Sequence, residues 1–279
     1  MALLNQIKTV FLISLLISIV IWAGYYFGGI ELAIAFASIS IIIQWIMLFY
    51  SDKLVLWMYH AREVQSGRLY EMVMKLTREF DLPMPKVYIA EIPIANAFAT
   101  GISPKKSAVC VTRGLLQLLN EEELRGVLAH ELSHIKNRDT LISMVAITIS
   151  TIISSLAMVI RYALFFRSRD RDSDFLGMIL FSILAPIIAT LIHLAISRTR
   201  EYLADETAAR KIRNGLALAN ALRKIESSAK IVPSPEMLNT ENIFIVNPFR
   251  GSSLLYLFST HPPTTERIKR LEKIHKELY

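Results

Sequence analysis

Cysteine is nearly absent from this sequence. Cys110 is the single one in 279 residues, so no intramolecular disulfide can form and no cysteine pair offers a zinc site. That usage fits a reducing, cytoplasmic face. Histidine is scarce too, at six, so any histidine cluster stands out. No basic stripe interleaved with aromatics is present, and the net charge of +7 does not read as a nucleic-acid footprint. Internal repeats and low-complexity tracts are also missing. Charge is missing altogether from four long runs: Thr9 to Ile30, Leu32 to Ser51, Thr140 to Ile160, and Phe175 to Ser197.

Those runs account for a chain too apolar for an ordinary soluble enzyme, with 53% hydrophobic residues and a mean hydropathy of +0.42. Each is long enough to cross a bilayer as a helix. The first two predict membrane spans. They read as an uncleaved anchor and not a signal peptide, because the first run is too long and a second follows at once. The third and fourth carry many Ser and Thr, with Pro186 and His193 in the fourth. They predict a helical hairpin, read as spanning; a helical pair dipping partly into lipid is the alternative.

Basic residues set the orientation. The loop between the first two runs holds only Glu31, whereas Lys8, Lys53, Arg62, Arg125, Lys136, Arg138, Arg198, Arg200, Arg210 and Lys211 flank the other ends. Those flanks are expected on the cytoplasmic side. The arginines between Arg161 and Asp174 run against this scheme but are outnumbered and partly balanced by aspartates. The excess positive charge then belongs to a membrane surface, with lipid as the partner. The expected organisation is a two-helix anchor (1–51), a hairpin (140–197), and one cytoplasmic domain built from 52–139 and 198–279.

The chemistry is carried by His130-Glu131-Leu132-Ser133-His134. It lies in a stretch from Asn120 to about Asn137 that predicts an amphipathic helix. Asn120 with Glu123 has the spacing of a capping box, and Glu121 to Glu123 load the first turn with negative charge. Two histidines one turn apart project from one face and can hold one Zn²⁺, with room for a third ligand and a water. Glu131 can take a proton from that water. A helix with two solvated histidines is the plainer alternative.

Around this helix the sequence predicts a helix over Glu63 to Phe80, stopped by Pro83 and Pro85. It predicts strands over Lys86 to Ala90 and Ser107 to Thr112, and a segment Asn96-Ala97-Phe98-Ala99 between them. That segment is scaffold, or an edge strand that takes an extended peptide by main-chain hydrogen bonds. Beyond the fourth run, Arg198 to about Asn214 predicts a helix with Glu201 and Asp205 on one face. Glu201 is the best candidate for a third ligand, and Asp205 could accept from a ligand histidine. A solvated cluster with Arg198, Arg200 and Arg210 is the alternative. A third histidine in the pattern His-Glu-x-x-His-x-x-Gly-x-x-His is excluded, since Asn137 and Thr140 stand at those positions. His193 reads as a packed core residue, and His60 and His275 as surface residues. His261, in a rigid turn before the terminal helix, can approach the metal or stabilise an oxyanion, or serve only as a cap.

These motifs, in this order, resemble the HtpX-type membrane zinc proteases, relatives of the CAAX prenyl protease. The resemblance runs through Asn96 to Gly101, His130 to Asp139, Ser197 to Asp205, and Thr260-His261-Pro262-Pro263 ahead of Glu266-Arg267-Ile268. It implies a mainly α membrane protein of about four transmembrane helices with a cytoplasmic α+β zinc protease domain of the gluzincin type and a small sheet. It implies one Zn²⁺ held by His130, His134 and Glu201, Glu131 as base, Asp205 in support of a ligand histidine, and Asn96, Ala97, Phe98 and Ala99 as the substrate strand. It leaves the roles of Asp139 and His261 open. The implied activity is endoproteolysis of misfolded or damaged membrane proteins at the cytoplasmic face of the cell membrane, in stress-linked quality control. The implied substrates are unfolded or membrane proteins, and there is room for a regulatory membrane-protein complex. The rival reading is an inactive, zinc-stabilised membrane scaffold, which would have no need of Glu131.

Overall fold

The computed structural model describes residues 55–166, 174–228 and 262–279, with Lys53 and isolated positions before it. Those isolated positions apart, the first two apolar runs, residues 167–173 of the stretch from Arg161 to Asp174, and His261 lie outside the described residues.

The described part is mainly helical with one small mixed sheet. β1 (Arg62–Val64) precedes α1 (Arg68–Phe80). The helix expected from Glu63 thus starts later, because Gly67 adopts a φ of 95°, a left-handed backbone that an L-residue adopts only with strain. Upstream of it the chain pairs as a strand instead. α1 closes at Asp81 in the left-handed conformation, whose N–H reaches back to the last turn. Lys136 and Lys211 donate to the Phe80 and Glu79 carbonyls at 2.7 and 2.9 Å, placing two cations at the negative end of the helix.

β2 (Lys86–Ala90), β3 (Ala97–Ser103) and β4 (Lys106–Thr112) complete a sheet of order β1-β2-β4-β3. β2 runs parallel to β4, and β3 pairs antiparallel with β4. The hairpin turns at Pro104 and Lys105, and the pairing shifts register between Thr100 and Ser103, around Gly101, where an added Cβ would lie 2.1 Å from the Lys106 carbonyl oxygen. Alternation along β4 sorts its two faces. Val109 and Val111 join the main core, while Cys110 packs with Tyr59, Ala90 and Phe98 on the other side.

α2 (Arg113–Leu118) leads into α3 (Glu121–Asn137). The expected capping box is formed: Glu123 N donates to Asn120 Oδ1, and Asn120 N donates to Glu123 Oε2, each at 2.9 Å. Arg138, in the left-handed region, ends α3. α4 (Asp139–Phe166) and α5 (Asp174–Ile212) pack together as a hairpin through Ala146, Ile149, Ile153, Ala185, Ala189 and Ile196. Within them, Asp139–Met158 and Gly177–Ile212 are long and apolar enough to cross a membrane.

α5 is continuous through Ser197, with Pro186 inside it. The fourth apolar run and the helix expected from Arg198 are therefore one element. The 36 residues of Gly177–Ile212 amount to about 54 Å of helix, against about 30 Å of hydrocarbon. One rod thus carries the apolar segment and extends into the polar domain. α6 (Gly215–Ser228) and α7 (Thr264–Leu278) close the main core against α3 and α5 through Leu218, Leu222, Leu271 and Ile274.

Candidate metal centre

The site forms where α3 crosses α5. Ala129 and Ser133 on α3, and Ala204 and Ala208 on α5, are fully buried. Such small residues let two helix backbones approach closely, which brings the histidine face of one against the acidic face of the other.

His130 and His134 lie edge to face, with ring centroids 4.6 Å apart and Nε2 atoms 3.1 Å apart. Glu201 completes the triangle, its Oε2 3.6 Å from His130 Nε2 and its Oε1 3.5 Å from His134 Nε2. One ligand atom from each of the three residues falls within 4.8 Å of the others. The far nitrogens face carboxylates: His134 Nδ1 is 2.7 Å from Asp139 Oδ2, and His130 Nδ1 is 3.0 Å from Asp205 Oδ1. A carboxylate beside Nδ1 favours the proton there, so both Nε2 lone pairs point at the shared centre.

Each aspartate is held by a buried arginine. Arg200 pairs with Asp139, and Arg267 binds Asp205 in a fork, with Nε and Nη2 each 2.8 Å from an oxygen. Four buried carboxylates (Glu131, Asp139, Glu201 and Asp205) thus meet two buried guanidiniums. Two negative charges remain, which a divalent cation would neutralise. Two imidazoles and a carboxylate are a zinc-type donor set, and the residues therefore fit Zn²⁺.

Glu131 is buried next to this centre. Desolvation pushes its carboxyl pKa above the ordinary glutamate range, against the pull of His130, His134 and a hydrogen bond from the Ala99 backbone. Burial disfavours a charged His130, but Asp205 and Glu201 outweigh it and push its pKa up to about 10. With neither a metal nor a proton, this pocket holds too much negative charge.

Within the Asn96 to Ala99 segment, Asn96 directly precedes β3 and Ala97 to Ala99 begin it, as the edge strand beside α3. Thr112 Oγ1 accepts from Asn96 N at 2.8 Å and donates to Asn96 O at 2.9 Å. That tie fixes where the strand begins. Ala97 and Phe98 are buried under it. His193 sits within the apolar part of α5 and is not one of the three grouped residues. The structure thus brings together His130, Glu131, His134, Asp139, Glu201 and Asp205. Sequence reasoning did not find Arg200 or Arg267 as parts of the centre. The available signal was electrostatic: carboxylates buried beside ligand histidines require buried cations.

A buried two-histidine, one-glutamate cluster, with a further carboxylate on the same helix and an edge strand alongside, is the arrangement of a metal-dependent peptidase. The chain belongs to peptidase family M48, whose profile matches residues 63–275, and it is a metalloprotease. Its relatives bear out the HtpX-type resemblance. A "Protease HtpX homolog" from Thermococcus kodakarensis is 46% identical over 286 residues, covering 100% of this chain and 99% of the relative. One from Pyrococcus furiosus is 45% identical over 98% of this chain and 96% of the relative. One from Syntrophotalea carbinolica is 45% identical over 97% and 99%. Among solved structures, Ste24p of S. mikatae superposes with a TM-score of 0.58 at 18% identity, covering 96% of this chain and 65% of that one. At that identity the likeness concerns the fold alone.

Proposed function

We propose that the chain is a membrane-bound zinc endopeptidase that cleaves misfolded or damaged membrane proteins on the cytoplasmic side. The observation that carries this reading is α5, a single helix that joins a membrane-length apolar segment to Glu201. A site built on the protruding end of such a helix stands at the membrane surface, where an extruded or unfolded segment can reach it. The basic flanks around the apolar runs support a cytoplasmic orientation. The division into anchor, hairpin and one catalytic domain made from both polar blocks is part of the proposal. So are lipid contact and a regulatory membrane-protein partner.

His130, His134 and Glu201 would hold the metal. Zn²⁺, when bound, supplies Lewis acidity that polarises a peptide carbonyl and lowers the pKa of a water toward about 7. Asp205 and Asp139 keep the two imidazoles in the tautomer that presents Nε2. Glu131 accepts the proton of the attacking water and passes it to the leaving amine nitrogen. Its raised pKa makes both transfers closer to thermoneutral than they would be for an exposed glutamate. The edge of β3 offers backbone groups that align an extended substrate segment, so a flexible stretch of almost any sequence could serve. That tolerance suits a quality-control protease.

The test pairs metal content with cleavage. Wild type and Glu131→Gln are purified in detergent with a chelator, reloaded with zinc, and given an unfolded protein. Zinc in both with cleavage by the wild type alone is expected. Zinc in both with cleavage by neither would favour an inactive zinc-stabilised scaffold.

A further inference from the structure

Thr112 ends β4 and is fully buried, and its hydroxyl is used to capacity. It donates to Asn96 O at 2.9 Å, and it accepts from Asn96 N at 2.8 Å and from Leu115 N at 3.3 Å. One donor and two lone pairs are all that a hydroxyl carries. Thr112 N also donates to Asn96 O, at 2.9 Å. Asn96 and Thr112 are therefore a hydrogen-bonded pair of the antiparallel ladder, with the hydroxyl in place of the Thr112 carbonyl where the chain turns into α2. Such pairs alternate along a ladder, and each residue points its N–H and C=O the same way. With Asn96 facing β4, Phe98 and Thr100 face it too, opposite Cys110 and Ala108. Ala97 and Ala99 then turn their main-chain groups to the free edge, and the Ala99 backbone does reach Glu131.

We propose that Thr112 is a positioning residue that fixes where the substrate edge of β3 starts and which main-chain groups it offers, those of Ala97 and Ala99. This deepens the endopeptidase reading and rests on it. An extended segment that adds to a sheet edge pairs with main-chain groups two residues apart. A slip of one residue would present the groups of Phe98 instead, and would carry Ala97 and Ala99 away from the main core. Packing holds the middle of the strand, where the Phe98 and Tyr59 rings lie 5.1 Å apart between centroids. The Thr112 hydroxyl holds its start. The same hydroxyl caps α2, which leads into α3, so one group ties the substrate edge to the element that precedes the histidines.

The experiment uses the full chain in detergent, reloaded with Zn²⁺, as wild type, Thr112→Ser, Thr112→Asn and Thr112→Val, with an unfolded protein as substrate. Thr112→Ser keeps the hydroxyl. Thr112→Asn keeps a preferred cap for α2 but not the paired bonds to Asn96, and Thr112→Val keeps only the shape. Zinc stoichiometry, melting temperature, KM, kcat and the map of cleaved bonds are measured. Thr112→Ser is expected to match the wild type. In Thr112→Asn and Thr112→Val, KM should rise about two- to tenfold, the worth of one hydrogen bond. Zinc content and kcat should be nearly unchanged, and the cleaved bonds should be redistributed. A folded Thr112→Asn or Thr112→Val protein with the wild-type KM and cleavage map would overturn the role given to Thr112, since a merely structural threonine moves the melting temperature alone. Amide exchange on zinc-loaded Glu131→Gln, which holds substrate uncut, needs no change at Thr112. Substrate should slow the Ala97 amide and leave that of Phe98 as it was; slowing at Phe98 alone would overturn the register. A zinc-loaded wild type that cleaves nothing would be a different failure, overturning the endopeptidase reading and the inference with it.

Discussion

Arg200 on α5 forms an ion pair with Asp139, the first residue of α4. It also donates to the Asn137 carbonyl, at 3.0 Å, near the end of α3. One guanidinium thus joins three helices directly behind His134. Removing it leaves Asp139 charged, buried and without its strongest partner. Arg200→Met is expected to cost about 3–5 kcal/mol of stability and to weaken zinc affinity about ten- to a hundred-fold. Adding Asp139→Asn should return most of the stability but not the zinc affinity. Denaturant melts and chelator competition on the three proteins separate the two effects. If both recover together, Asp139 serves the fold and not the histidine.

Gly126 marks where α3 meets α6. A Cβ there would lie 2.7 Å from Leu218 N and 3.0 Å from the Ala217 carbonyl carbon, both backbone atoms. Backbone cannot yield as a side-chain tip can, so the helices must part. Gly126→Ala is expected to destabilise by about 1–3 kcal/mol, despite the better intrinsic helix propensity of alanine. The displacement falls one turn from His130, so zinc affinity should fall as well. A melting temperature at or above the wild-type value would show that the α3–α6 contact is not tight.

Much of this architecture was legible because it depends on spacing. The capping box of Asn120 and Glu123 fixed the start of α3, and the histidine spacing fixed which face carries the ligands. The juxtaposition of Glu201 with the histidines was expected from hairpin topology, and α4 and α5 supply it. Two features were hidden. The start of α1 turns on the backbone conformation of Gly67, which a helical pattern from Glu63 does not reveal. The arginine clamps depend on which of many basic residues the fold buries. The sequence offers Arg198, Arg200 and Arg210 as equals, yet Arg200 is buried while Arg210 pairs with Glu206 and Glu277 elsewhere. Arg267 comes from a helix more than sixty residues beyond Glu201, so only the packing of α7 shows its role.

The capping box gives a prediction confined to stability. Asn120→Ala removes the acceptor for Glu123 N and leaves the first turn of α3 less satisfied. The expected cost is about 1 kcal/mol, read as a shift in the denaturation midpoint. Cleavage per folded molecule should not change, because the centre lies more than two turns further along the helix. A loss of turnover at full stability would mean that the first turn does more than start the helix.

Cys110 yields a pH dependence whose sign can be worked out. It is fully buried between Tyr59, Ala90 and Phe98, and burial pushes its thiol pKa from 9.0 up to about 12. The thiolate is the species that reacts with alkylating agents, so the folded protein should resist iodoacetamide across pH 7 to about 9 while denatured protein labels readily. The same shift links to stability. The folded state prefers the protonated thiol, so its contribution is whole below the unfolded pKa near 9 and declines as pH rises toward 12. Stability should therefore fall on the alkaline side, and Cys110→Ala should flatten that fall while lowering stability at neutral pH through the lost packing. Rapid labelling of the native wild type at pH 8 would show that the sheet face bearing Cys110 opens to solvent.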